Sequence, residues 1–168
     1  MSPGNLNCGR DLEQMAGDED NKPRILVDAD GCPVVDAAIS LAARHQLSCV
    51  LFCDTSHELE KIGAKTIVVD QGADSADFAL ANHIRHGDFV VTQDYGLAAM
   101  ALAKKACVFN QDGRQYTADN IDMLLNVRYE RSKQRRKTGR GSRIPKRTQE
   151  QDKSFYQSLH GHICQRDI

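Results

Sequence analysis

RILVDADGCPV, residues 24–34, sets the apolar run Ile25, Leu26 and Val27 directly before two acids, Asp28 and Asp30, and then before Gly31 and Pro33. A short, partly β-branched apolar run reads as a buried strand, and the glycine and proline punctuate the backbone behind it. In open α/β sheets, ligands bind at the carboxyl ends of the strands. A carboxylate pair at such an end is therefore the first candidate site in the chain.

Downstream, Pro33 suits a first helical turn, and Val34, Ala37, Ala38, Leu41 and Ala42 recur at helical spacing. Apolar runs at 47–53, 66–69, 89–92 and 106–109 read as further strands. Asp54, Thr55 and Ser56 offer caps for a short helix, and helical patterns follow around Ala76–Ile84 and 97–104. This alternation predicts an α/β fold: three α/β/α layers around a mostly parallel sheet of about five strands. A last apolar helix face, Ile121, Leu124 and Leu125, fades near residue 127; TGRGSRIP, 138–145, reads as a flexible loop. Thr148 and Gln151 have the spacing of a capping box, so a closing helix is expected over 148–162. The expected organisation is an acidic N-terminal extension, 1–23, an α/β domain, 24–127, and a basic arm with the closing helix, 128–168.

The 168 residues suit one domain that needs no disulfide staples. The net charge of −1 conceals an asymmetry. Residues 1–127 hold ten Lys and Arg against nineteen Asp and Glu, whereas 128–147 hold ten Lys and Arg against the single acid Glu130. A cationic block of this density predicts a polyanionic partner, nucleic acid; RNA is expected ahead of DNA, a preference that the charge itself does not set. Arg128, Arg131, Arg135 and Arg136 are spaced to line one helix face, and Arg140, Arg143, Lys146 and Arg147 follow on loop-like sequence. They form the expected substrate-binding arm, tracking phosphates without reading bases. The six cysteines form no close doublets, and the six histidines show no metal-ligand spacing. Buried thiols, an N-terminus without an apolar core and the lack of a long apolar run lead to an expected cytoplasmic location.

Other acids follow strands or open helices: Asp74 with Asp77, Asp88, and Asp94. Asp74 and Asp77 fall on one face of a first helical turn, where acids also serve simply as caps. Parallel strands end on a common edge, so Asp28, Asp30 and Asp94 are expected to converge there, joined by Asp74 and Asp77. Carboxylates held close repel unless a cation neutralises them, and hard ions such as Mg²⁺ or Mn²⁺ prefer oxygen ligands. Such ions activate water toward phosphate esters.

DADGCPV at 28–34, GADSAD at 72–77, TQDYGLA at 92–98, GRQY at 113–116, NID at 120–122 and the basic stretch after them resemble the bacterial YaiI/YqxD family, which is similar to the PIN-like nucleases. The resemblance implies a PIN-like fold with an acidic metal pocket. It assigns an acid after the first strand to Asp28 or Asp30, a central helical acid to Asp74 or Asp77, and an acid after the fourth strand to Asp94. Asp28, Asp74, Asp77 and Asp94 are the implied metal ligands, and Asp28, Asp30 and Asp94 the implied catalytic acids. Thr92 and Gln93 are expected to orient waters, Tyr95 to stack on a base, and Asn120 to bind substrate or cap a helix.

The expectation is thus a divalent-metal-dependent nuclease. Two alternatives stand beside it. One is a non-catalytic nucleic-acid-binding protein of the same fold. The other is a phosphatase of the haloacid dehalogenase type with Asp28 as nucleophile, because a strand ending Asp-x-Asp-Gly suits that chemistry also.

Overall fold

A computed structural model describes residues 21–55, 59–72, 75–139 and 145–166. The acidic extension up to residue 20, the cap residue Ser56, Asp74, Arg140 and Arg143 lie outside the described residues. The described strands are β1 (Ile25–Asp28), β2 (Cys49–Asp54), β3 (Lys65–Val69), β4 (Phe89–Val91), β5 (Cys107–Phe109) and β6 (Gln115–Tyr116). The described helices are α1 (Val35–His45), α2 (Ser75–His83), α3 (Tyr95–Ala103), α4 (Ala118–Thr138) and α5 (Gln149–Arg166).

The sheet order is β3-β2-β1-β4-β5-β6. All neighbours are parallel except β5 and β6, so the described sheet has six strands, one more than expected. The added strand is a two-residue piece of the GRQY motif, too short to carry an alternating pattern of its own.

Side-chain alternation splits the core into two layers. Ile25, Val27, Leu51, Cys53, Phe89 and Val91 pack with Leu41 of α1 and with Phe155, Leu159 and Ile163 of α5. Leu26, Val50, Phe52, Val90 and Val108 pack with Leu80 of α2, Leu97 and Ala101 of α3 and Ile121 of α4. The fold is a three-layer α/β/α sandwich.

Although its apolar face fades near residue 127, α4 continues through the basic block to Thr138. Arg, Lys, Gln and Glu are good helix formers even where no apolar face guides them, and Arg135, Arg136 and Lys137 in the last turn favour the helix dipole. The N-terminus is held by a capping box of Thr117 and Asn120; Gly139, with φ of 62°, closes the other end.

The turn before β6 anchors α5. Gly113 has φ of 82°, and a Cβ there would lie 2.7 Å from the Ser154 carbonyl oxygen and 2.8 Å from the Phe155 Cα. Only glycine permits this approach. Ser154 and Ser158 hydroxyls donate to the Asp112 and Gly113 carbonyls at 3.0 and 2.6 Å, and Arg147 bonds Asp112 and Asp152 at 2.8 and 2.6 Å. Among the described residues, no helix is long and apolar enough to cross a membrane.

Candidate acidic site

The strand order reverses between β1 and β4, since the chain leaves β1 toward β2 and β3 and returns to β4 on its other side. Such a switch point opens a crevice at the carboxyl ends of the strands. Asp28 ends β1, and Thr92 and Asp94 directly follow β4. Alternation along the strands points Asp28, two residues after Leu26, toward the α2 and α3 side, and does the same for Asp54 after Phe52.

A depression of about 250 Å³ there is lined by Asp28, Asp30, Asp54, Gly72, Ser75, Ala76, Asp77 and Asp94. A shallower neighbour of about 350 Å³ shares Asp28, Asp30 and Asp94 and adds Gly31, Gln93 and Arg128. The amino ends of α2 and α3 both face this region, so their backbone dipoles offset part of the negative charge.

Thr92 organises the two principal acids. Its hydroxyl donates to Asp28 Oδ2 at 3.0 Å and accepts from the Asp94 backbone N–H at 3.0 Å. Asp94 caps α3, its Oδ1 accepting from the Leu97 N–H at 3.0 Å. Asp30 accepts from the Asp54 N–H at 3.2 Å, which ties the β1 turn to the end of β2. Gln93 donates to the Gly31 carbonyl at 3.3 Å, across the same gap.

Burial pushes the Asp28 carboxyl up to about 6; the Thr92 hydrogen bond opposes this, and the nearby charges of Asp77, Asp30 and Asp94 add to it. Among the described residues, no three of these carboxylates bring an oxygen each within 4.8 Å of one another. The donor set suits a hard cation that keeps several waters and takes one or two carboxylates directly, as Mg²⁺ does.

Arg128 sits at the rim. Its Nη1 lies 3.9 Å from Asp94 Oδ2, and its guanidinium lies 5.9 Å from the centre of the Tyr95 ring. Arg131, Arg135 and Arg136 are exposed farther along α4, and Lys146 is exposed beyond it. Asn120 is not with them: its side chain accepts from the Thr117 N–H at 2.9 Å and donates to the Gln115 carbonyl at 3.0 Å. Arg147 is likewise engaged elsewhere, with Asp112, Asp152 and the Gln111 carbonyl. Asp88 stands at the opposite edge of the sheet, almost fully buried and paired with Arg24 at 2.6 Å.

Asp54 is the lining residue that sequence reasoning passed over, because Asp54-Thr55-Ser56 reads equally as a helix cap. Its signal was the one that marked Asp28, an acid closing an apolar strand. What was missing was the pairing of β2 against β1, with Asp28 opposite Phe52.

A family model described as "Uncharacterized BCR, YaiI/YqxD family" matches residues 26–165. The chain is similar to the UPF0178 protein of Exiguobacterium sibiricum, with 49% identity over 136 residues, covering 81% of this chain and 93% of that relative. It is 48% identical over 136 residues to the UPF0178 protein of Alkaliphilus oremlandii, covering 81% and 88%. To that of Natranaerobius thermophilus it is 42% identical over 142 residues, covering 84% and 97%. No solved structure matches the chain.

Proposed function

The chain belongs to the YaiI/YqxD family, and on that premise we propose that it is a divalent-metal-dependent nuclease hydrolysing phosphodiester bonds, in RNA ahead of DNA. One observation carries the reading: Asp28 and Asp94, after the first and fourth strands, are joined through the Thr92 hydroxyl beside Asp30, Asp54 and Asp77 in one depression at the switch point. Acids after these two strands are the pattern that the resemblance to PIN-like nucleases implies.

Asp28 and Asp94 would hold the ion, with Asp77 and Asp30 beside them and Asp54 tied to Asp30. Bound Mg²⁺ or Mn²⁺ supplies Lewis-acid activation of water and neutralises charge on the phosphoryl group. Thr92 fixes the orientation of the Asp28 carboxylate. Arg128 meets a backbone phosphate at the rim, where it also breaks up the repulsion between substrate and acids. Tyr95 offers an aromatic face beside it. Arg131, Arg135 and Arg136 continue this cationic track along α4, suiting an extended single strand. A phosphatase with Asp28 as nucleophile, acting on small esters, gives no role to the α4 track.

Cleavage of labelled single-stranded RNA, single-stranded DNA and duplexes with Mg²⁺, Mn²⁺ or chelator tests the proposal. Metal-dependent RNA cleavage that is lost in Asp28→Asn and Asp94→Asn is expected. Cleavage persisting in both variants overturns the pocket. Binding without cleavage under every metal leaves the non-catalytic alternative. Phosphate release from small esters through an Asp28 phosphoenzyme replaces the proposal with the phosphatase.

A further inference from the structure

On the other face of the sheet, α5 crosses α1 near the end of α1, and three side chains with metal-binding chemistry meet at the crossing. His45 is the last residue of α1, and His160 and Cys164 lie one helical turn apart on α5. Each offers a ligand atom within 4.8 Å of the others, and among the described residues no other set of three His, Cys, Asp or Glu side chains does so. His45 Nε2 and His160 Nδ1 are 2.8 Å apart, and Cys164 Sγ is 3.8 Å from His160 Nδ1.

We propose that His45, His160 and Cys164 form a binding site for a borderline-soft divalent ion, Zn²⁺, that clasps the closing helix α5 to α1. This site is separate from the acidic depression, on the opposite face and at the opposite edge of the sheet. It does not depend on nuclease activity.

The separations fit the ion. Tetrahedral zinc with ordinary Zn–N and Zn–S lengths holds two nitrogens about 3.3 Å apart and a nitrogen and a sulfur about 3.6 Å apart. The observed pair of histidines needs to open by only about half an ångström, exchanging one hydrogen bond for two metal bonds. Two imidazoles and a thiolate also match zinc's preferred donors, unlike the all-oxygen acidic depression. The carboxyl end of α1 adds a favourable dipole for a cation. Arg44 opposes it, but its guanidinium is exposed and turned to the Tyr156 hydroxyl at 3.3 Å. Three protein ligands leave the fourth zinc position for water or an outside group.

Sequence spacing hid this site because His45 lies 115 residues from His160. The His160–Cys164 pair alone is a helical i, i+4 spacing that many surfaces carry. Only the packing of α5 on α1 brings the third ligand.

Cobalt substitution tests the site in the full-length reduced protein, with excess Mg²⁺ occupying oxygen sites. One equivalent of Co²⁺ should give a thiolate-to-cobalt charge-transfer band that Zn²⁺ abolishes. The band should be lost in Cys164→Ser and unchanged in Asp28→Asn. Zn²⁺ should also raise the melting temperature of the wild type but not of His45→Ala. Absence of the band, or its persistence in Cys164→Ser, overturns the proposal. So does a zinc-induced stabilisation that His45→Ala leaves intact.

Discussion

Thr92 and Asp28 are 64 residues apart in the chain, yet the Thr92 hydroxyl donates to the Asp28 carboxylate at 3.0 Å. The same oxygen receives the backbone N–H of Asp94. This single side chain couples the ends of β1 and β4, and with them the two acids on which the proposed chemistry rests.

Replacing Thr92 by Val should raise the Asp28 pKa further, since the hydroxyl is the group that lowers it. It also strips the Asp94 N–H of its partner, at a cost of about 1–3 kcal/mol. Thr92→Ser keeps both bonds and should leave the Asp28 titration near that of the wild type. Carboxyl chemical shifts followed against pH, with urea unfolding of each variant, measure both effects.

Asp28 makes the metal-free protein less stable as pH rises. Its folded pKa is about 6, against an ordinary value of 3.8, so between these values the folded state binds more protons than the unfolded chain. Stability present below this window is lost as pH rises through it, by at most ~3 kcal/mol, and levels off above it. In chelator near neutral pH, Asp28→Asn should therefore melt above the wild type while losing any stabilisation by Mg²⁺. A variant that melts lower, or that retains the full Mg²⁺ response, contradicts this account.

Arg128, Arg131 and Arg135 are exposed on α4, so changing all three to Gln should move folding stability by no more than about 0.5 kcal/mol per site. RNA binding should weaken substantially. Each lost phosphate contact on a single strand lowers the slope of log affinity against log salt by about 0.7, so the slope should fall by roughly 2. Affinity measured across a salt series reads this directly, and an unchanged slope removes α4 from the substrate path.

Gly113→Ala should destabilise the protein by more than about 1 kcal/mol, because its backbone angle is left-handed and the new Cβ would press on Ser154 and Phe155 of α5. Arg147→Ala should likewise act through stability, loosening α5 from the turn at Asp112, while leaving the salt dependence of RNA binding unchanged. Chemical denaturation beside the salt series distinguishes this from a phosphate contact at Arg147.

Several of these relationships are legible in the sequence. The apolar runs ending in Asp28 and Asp94 marked two walls of the depression because a strand buried on both faces is a continuous hydrophobic stretch, and its first acid announces its end. Asp54 carried the same mark but lay beside cap-forming residues. Arg147 sat in the basic block without sharing its exposure, because Asp112 and Asp152 claim its guanidinium. Charge density records how many cations are present, not which have partners.

The sequence by itself determined the alternation of strands and helices, the two-sided burial of the central strands and the separation of acidic body from basic helix. These follow from local periodicity and composition, which act over one or two turns of chain. Tertiary structure alone decided that β1 pairs with both β2 and β4, that Thr92 spans Asp28 and Asp94, and that His45 meets His160 and Cys164. Such meetings depend on crossover direction, register and helix packing, whose energies arise between segments far apart in the chain.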